Sequence, residues 1–295
     1  MRVRTLAVVL LAGGLALTAC GKEGGPGDTG SAPAQTAVSD VKVDGSATFD
    51  KMKSRGRVVI GVKEDQPGLG YKDPTSGKFN GFDIEIAKLV AAQLGFGDDK
   101  IDYKAIPSAG REQALINGDV DYYVGTYTIN AKRKEQVAFA GPYFTAGQDL
   151  LVKKSDSSIT GKDTLKGKKV CSVTGSTPIQ KVKSENLTEP ENIVELQNYS
   201  QCVEQLEQGA VDAVTTDDAI LKGYASQSPD TLKVIGKPFS KEPYGIGLPK
   251  DDKALRDKVN DILQAALDGD AWQKAYDSTL GKSNSTAEKP TLDRY

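Results

Sequence analysis

The strongest constraint in this sequence is its rhythm: short runs of β-branched and aliphatic residues alternate with helical patterns along most of its length. That alternation predicts α/β layers around mainly parallel sheets. Val58-Val59-Ile60-Gly61-Val62 reads as a first buried strand. Asp83, then Ile86, Ala87, Val90 and Leu94 at three- and four-residue spacing, closed by Gly95, predicts a capped amphipathic helix. Residues 101–106 form a second expected strand, 112–117 a short helix ending at Gly118, and 120–124 a third strand.

A second block repeats the scheme, with strands expected at 169–173, 193–196 and 211–215 and helices from about Pro178 and over 200–208. Leu115, Gly118, Val120 and Asp121 recur in spacing as Leu206, Gly209, Val211 and Asp212. Each set is a helix end, a glycine cap and a strand start, which supports a duplicated lobe. A further strand at 244–249 precedes a helix with Leu255, Val259, Ile262, Leu263, Ala266 and Leu267 on one face. These return to lobe one, so the fold expected is two α/β lobes, the first discontinuous (49–147 with 245–281) and the second continuous (148–244). Crossings near 147–151 and 242–246 make a double-stranded hinge.

The chain begins with Arg2 and Arg4 and an apolar run over 6–17, too short to span a bilayer, so residues 1–19 read as a secretory signal. Leu17-Thr18-Ala19-Cys20 resembles the bacterial lipobox, which implies an acylated Cys20 at the mature N-terminus, with palmitate among its acyl groups. Residues 20–48 are Gly, Ser, Pro, Ala, Thr and Asp with few large apolar side chains and are expected to be a disordered tether reaching roughly 30 Å. Residues 282–295 are expected to be a disordered tail. Losing Arg2 and Arg4 from 38 cationic residues leaves 36 against 40 acidic ones, a balance that suggests neither nucleic acid nor an anionic surface as partner. Cys171 and Cys202, an even pair in an exported chain, are expected as a disulfide, the alternative being two buried thiols. The chain has no histidine, which removes histidine triads and imidazole acid–base chemistry. No metal or other cofactor is expected.

In α/β sheets ligands sit beyond the carboxyl ends of the strands. Those places hold Lys63-Glu64-Asp65-Gln66, Ser108 to Arg111, Thr126 to Thr128 with Arg133, Thr174 to Thr177, and Thr216-Asp217-Asp218. Three cations, several hydroxyls at a helix start and a carboxylate are what a free amino acid needs. Its α-carboxylate takes guanidinium and hydroxyl donors, and its ammonium takes a carboxylate.

Gly81-Phe82-Asp83-Ile84-Glu85-Ile86-Ala87, Gly125 to Arg133, Val173 to Thr177, Thr216 to Ala219 and Lys241 to Ile246, in this order, resemble the polar amino-acid family of bacterial periplasmic-type binding proteins that serve ABC importers, above all its glutamate/aspartate-binding members. The resemblance covers nearly all of the folded region and implies a type II-like periplasmic-binding-protein fold. It implies that Arg133, Thr128 and the Thr126 backbone grip the α-carboxylate, that Ser176 and Thr177 add donors from the other lobe, and that Asp217 pairs with the ammonium. Lys63, Ser108 and Arg111 fall where acidic-ligand members meet the distal carboxylate, with Lys63 where some have arginine. By composition alone Lys132-Arg133-Lys134-Glu135 is a solvated helix face, Arg111 an exposed helix residue, Lys63 a strand-end lysine, and Asp217 a helix cap with Asp218 as the contact. The function implied is capture of glutamate or aspartate by hinge closure, by a monomer anchored through lipid to the outer face of the cytoplasmic membrane, with delivery to ABC permease subunits and no catalysis. The alternatives are glutamine or another polar amino acid, an enzyme on the same scaffold, or a sensor module.

Overall fold

The computed structural model describes residues 35–283 and 288–295; Arg2, Arg4, the apolar run and Cys20 lie outside the described residues. The chain opens with α1 (Ala47–Arg55), capped by Ser46, whose Oγ accepts from the Phe49 amide. There follow β1 (Val58–Val62), a small hairpin of β2 (Tyr71–Lys72) and β3 (Phe79–Asn80), and α2 (Phe82–Gln93). Next come β4 (Ile101–Ala105), α3 (Arg111–Ile116), β5 (Tyr122–Val124), α4 (Ala131–Lys134), β6 (Ala138–Ala146) and β7 (Gln148–Lys153). The second block holds β8 (Val170–Val173), α5 (Thr177–Ser184), β9 (Ile193–Leu196), α6 (Tyr199–Gln208), β10 (Ala213–Asp217), α7 (Asp218–Gln227) and β11 (Leu232–Val234). It closes with β12 (Glu242–Leu248), α8 (Lys253–Asp268) and α9 (Ala271–Asp277).

The strands form two five-stranded sheets, ordered β4-β1-β5-β12-β6 and β11-β7-β10-β8-β9. Each sheet is half of a periplasmic-binding-protein-like α/β fold, and β12 returns to the first sheet, as expected of a discontinuous lobe. The sheets are mixed, not mainly parallel. β4, β1 and β5 run parallel and β12 antiparallel to β5 and β6; β10, β8 and β9 run parallel and β7 antiparallel to its neighbours.

The antiparallel strands are also the connections between sheets. β6 leaves the first sheet and β7 enters the second with only Gly147 between them. A side chain at Gly147 would stand 2.8 Å from Pro238 Cβ and 2.9 Å from the Ser240 carbonyl, so only glycine lets the two crossing strands lie together. The Phe239 amide donates to the Gln148 carbonyl (2.8 Å) and the Gln148 amide to Ser240 Oγ (3.0 Å). The second crossing thus falls between β11 and β12, a few residues ahead of the 242–246 expected for it, because Glu242 already pairs with Ala146 in the first sheet.

Phe82 anchors the first core among Tyr143, Phe144, Trp272 and Tyr276, and the buried Trp272 indole donates to the Tyr143 carbonyl at 2.7 Å. In the second sheet Cys171 of β8 is bonded to Cys202 of α6, across 31 residues of sequence, with Cα atoms 5.5 Å apart. Closing a loop of that length contributes about 4 kcal/mol in the chain-entropy picture.

Three local expectations are corrected. Asp83 is no cap: Gly81 holds that position, and the Asp83 carboxylate is buried and turned toward Thr126 and Tyr143. Ten of the twelve α2 residues are buried, so the helix is enclosed rather than amphipathic. The segment expected to end as tether at residue 48 already packs from Val38, whose amide donates to the Ala92 carbonyl (2.9 Å); Val43 is buried, and Ser46 Oγ donates to Asp252 (2.7 Å). The expected disordered tail is also contradicted. The Asp293 amide donates to the Gly141 carbonyl, the Phe139 amide donates to the Tyr295 hydroxyl, and Lys289 Nζ caps the last carbonyls of α8 at Leu267 (2.6 Å) and Gly269 (2.9 Å). The Tyr295 ring lies under Lys134 Nζ (3.8 Å) and Arg256 (4.5 Å), which its polar neighbours in the sequence do not reveal. Among the described residues no helix is long and apolar enough to cross a membrane.

Candidate functional site

Loops leaving the carboxyl ends of β1, β4 and β5 face those leaving β8 and β10, and the expected residues gather there. Ser108, Arg111, Thr126, Thr128, Arg133, Ser176, Thr177 and Asp217 line one small, tightly closed cavity, completed by Pro178, Tyr199 and Ile220. Lys63 stands one layer back, its ammonium donating to Ser108 Oγ at 2.7 Å. A larger open groove, about 1710 Å³, runs along the C-terminal segment past Pro142, Lys241 and Lys289 and contains none of these residues. The small cavity is where the charged groups converge, and the chemistry is read there.

Arg133 is fixed by α4, whose cap Asn130 accepts from the Arg133 amide (2.9 Å). Its side chain turns away from solvent: Nη1 donates to the Thr128 carbonyl (2.7 Å), Nη2 to the Gly175 carbonyl (3.0 Å), and Nε lies 3.3 Å from Glu112. The solvated-face alternative therefore fails; Arg133 is 7 % exposed. Arg111, 2 % exposed, donates to the carbonyls of Ser108 (3.1 Å), Gly125 (3.5 Å), Thr126 (3.3 Å) and Gly175 (3.4 Å). The two guanidinium groups sit over the Tyr127 ring at 4.3 and 5.0 Å from its centre. Burial and then the neighbouring Arg111 pull the Arg133 pKa down to about 10; burial and then Arg111 pull Lys63 down to about 7.

The partners of these cations differ in kind. Arg133 has Glu112, whereas the hydrogen-bond partners of Arg111 and Lys63 are all uncharged oxygens. A simple count of charges is not cationic, since Asp83, Glu112, Asp217 and Glu242 stand nearby. Burial, however, pushes Asp83 up to about 6, against hydrogen bonds from Tyr143 and Thr126, and pushes Asp217 up to about 8, helped by Glu242.

Asp217 closes β10 at the first turn of α7 without capping it. Its Oδ2 accepts from the Tyr244 hydroxyl (2.7 Å), while the buried Oδ1 has no hydrogen-bond partner among the described residues. Asp218 does not line the cavity: it accepts from the Gly147 amide (3.1 Å) and pairs with Lys222 (2.6 Å). Ser176 caps α5 through Oγ, which accepts from the Ile179 amide (3.2 Å). Thr177 Oγ1 donates to Glu242 (2.7 Å) and lies 3.4 Å from Thr128 Oγ1 of the opposite lobe.

Thr126 departs from its expected part. Its amide, expected to face a carboxylate, donates to Asp83 Oδ2 (3.0 Å), and its hydroxyl donates to Gln66 (3.1 Å). These bonds hold Thr126 at φ +44°, a left-handed conformation that costs a side-chain-bearing residue on the order of 1 kcal/mol. Gln66, one of the residues expected after the first strand, thus supports the site through Thr126, and Asp83, Tyr127, Tyr199, Glu112 and Glu242 are supports that sequence reasoning missed. None has a local motif, since each acts through a partner far away in sequence.

The lobes touch at the opposite rim as well. The Ser200 amide donates to Asp65 (3.1 Å), and the Tyr224 hydroxyl donates to the Asp65 carbonyl. Together with the shared Gly175 carbonyl, these contacts make the arrangement a closed one. Its center offers two guanidiniums for a carboxylate and an unpartnered carboxylate oxygen for an ammonium.

Residues 58–282 match the family described as bacterial extracellular solute-binding proteins, family 3. The glutamate-binding protein GluB of Corynebacterium efficiens is 38% identical over 289 residues, covering 94% of this chain and 90% of that protein. The glutamine-binding protein of Geobacillus stearothermophilus is 40% identical over 250 residues, covering 84% and 92%. Among solved structures, an ancestral arginine-binding protein bound to glutamine is 37% identical with a TM-score of 0.71, covering 77% of this chain and 99% of that one.

Proposed function

The chain belongs to the bacterial extracellular solute-binding proteins, family 3, and from that premise we propose that it captures free glutamate between its lobes and delivers it to the permease of an ABC importer. The observation that carries the choice of ligand is the pair Arg111 and Lys63, two buried cations whose partners are all neutral oxygens. A buried charge without a counter-charge is costly, so a ligand bringing a second carboxylate gains where a neutral one does not. In this reading Arg133, Thr128, Ser176 and Thr177 hold the α-carboxylate, and Asp217 meets the ammonium through its unpartnered Oδ1. In this reading the first lobe is built on β1, β4 to β6 and β12 and the second on β7 to β11, and the work done is closure and release, with no bond made or broken.

Glutamine is the second reading, favoured by the Geobacillus relative and by the depressed Lys63 pKa, which weakens the charge available to a distal carboxylate. Calorimetry of both ligands decides it. Glutamate is expected to bind more tightly by about 2 to 4 kcal/mol, and replacing Lys63 and Arg111 together by glutamine should close that gap mainly by weakening glutamate. A wild-type preference for glutamine, or a double variant that keeps the glutamate preference, overturns the assignment.

We further propose that Cys20 is acylated and holds the chain at the outer face of the cytoplasmic membrane. The lipobox-like Leu17 to Cys20 and the Gly/Ser/Pro-rich stretch behind it support this. Fractionation of wild type and Cys20→Ala should find only the former in the membrane; equal membrane association of both refutes it.

A further inference from the structure

Lys63 reaches the amino-acid cavity from behind Ser108 and is not part of its wall. Its stem is threaded between two glycines: a side chain at Gly70 would stand 2.9 Å from Lys63 Cβ, and one at Gly125 would stand 3.2 Å from its Cγ. The slot exists because both positions lack a Cβ, and it holds the lysine in one course. The ammonium then ends on Ser108 Oγ, which lines the amino-acid cavity, while the Lys63 side chain itself lines a second, more open cavity. That vestibule, about 410 Å³, is bordered by Glu64, Asp65, Gln197 and Asn198. Its polar rim therefore carries two carboxylates and two amides and, apart from Lys63, no cation.

From this arrangement we infer that Lys63 is a partition that sets the length and charge of the side chain accepted, closing a route from the amino-acid cavity into a vestibule whose chemistry suits a cationic group. The inference rests on the proposed reading of the small cavity as an amino-acid site. With Lys63 in its slot, a side chain that reaches past Ser108 meets an ammonium, which turns back lysine and arginine and stops a shorter anion. With the stem removed, the cavity opens toward Glu64 and Asp65, and a guanidinium carried on three methylenes has both the space and the counter-charges it needs. Asp65 already accepts from the Ser200 amide of the opposite lobe, so an arginine reaching it would meet the rim where the lobes touch.

The test is calorimetry of glutamate, glutamine and arginine against wild type, Lys63→Ala, Lys63→Val, Lys63→Met and Lys63→Ala/Asp65→Asn. Lys63→Val keeps the first part of the stem between the glycines in case the alanine variant does not fold. Shortening is expected to weaken glutamate at least tenfold and to strengthen arginine at least tenfold. Lys63→Met, which refills the slot without charge, should weaken glutamate and still exclude arginine. Adding Asp65→Asn should remove most of the arginine gain. If wild type binds glutamate and the folded, shortened variants gain no arginine affinity, or if Lys63→Met gains as much as Lys63→Ala, the partition is refuted while the amino-acid site stands. If wild type binds none of the three, the site reading fails and the partition with it.

Discussion

Ligand binding at this site should move protons, and the number moved should differ between glutamate and glutamine. Asp217, pushed up to about 8 by burial, is mostly protonated at pH 7, and Lys63, drawn down to about 7, is only partly protonated. An ammonium against Oδ1 favours the ionised Asp217, so its pKa falls on binding and a proton is released. A distal carboxylate near Lys63 favours the charged ammonium, so that pKa rises and a proton is taken up. Glutamine engages only the first effect and gives a net release at pH 7; glutamate engages both and gives a smaller one. The affinities follow the same signs. Glutamine should bind about tenfold tighter per pH unit as pH rises from 6 toward 8, since 1.36 kcal/mol accompanies each unit. Glutamate should gain below about 7 and flatten between 7 and 8, where the loss at Lys63 offsets the gain at Asp217. Calorimetry in phosphate, HEPES and Tris, whose ionisation enthalpies differ, counts the protons directly. Equal proton counts for the two ligands, or pH-independent glutamine affinity from 6 to 8, would refute the assignment of Asp217 and Lys63 to the two ends of the ligand.

Two further outcomes follow from the geometry. Arg133→Ala should weaken any amino-acid ligand by on the order of 3 kcal/mol in calorimetry, because the bound α-carboxylate loses its charged partner; an unchanged affinity in the folded variant refutes the clamp. Deleting residues 288–295 removes the Lys289 cap on α8, the Tyr295 cation contacts and the Asp293 hydrogen bond, and should lower stability by about 2 kcal/mol, a fall of roughly 5 °C in melting temperature. A melting curve unchanged by the deletion means the segment contributes nothing.

The elements that read well from sequence were those whose pattern is local. β1 and β9 are short aliphatic runs, and α8 shows its buried stripe at Leu255, Val259, Ile262 and Leu263. β6 and β7 do not show as strands in the sequence because they are buried almost throughout, and Gly141 and Pro142 within β6 and Gly147 between the two read as breakers. The cavity lining was legible because each residue follows a strand, the one place where sequence order marks position in an α/β sheet. What supports that lining was not. Asp83 looks like a helix cap by its neighbours, and only the folded chain shows it 3.0 Å from the Thr126 amide. Glu112, Tyr199 and Glu242 likewise take their meaning from residues 18 or more positions away, such as Arg133, Asp217 and Thr177. The polarity of the C-terminal segment points to disorder, while its anchoring uses a lysine on helix carbonyls and an aromatic between cations.

Both described ends of the chain are fastened to one jaw of the clamp. Val38 and Ser46 hold to α2 and to Asp252 at the start of α8, and Asp293 and Tyr295 hold to β6. The jaw built on the second sheet carries neither described end; the chain passes into it through the two strands beside Gly147. A tether entering ahead of residue 35 would therefore pull on the first jaw alone. Tension in it would shift the whole clamp without prying the jaws apart, so a protein held on a leash would keep the same grip on its ligand as one set free.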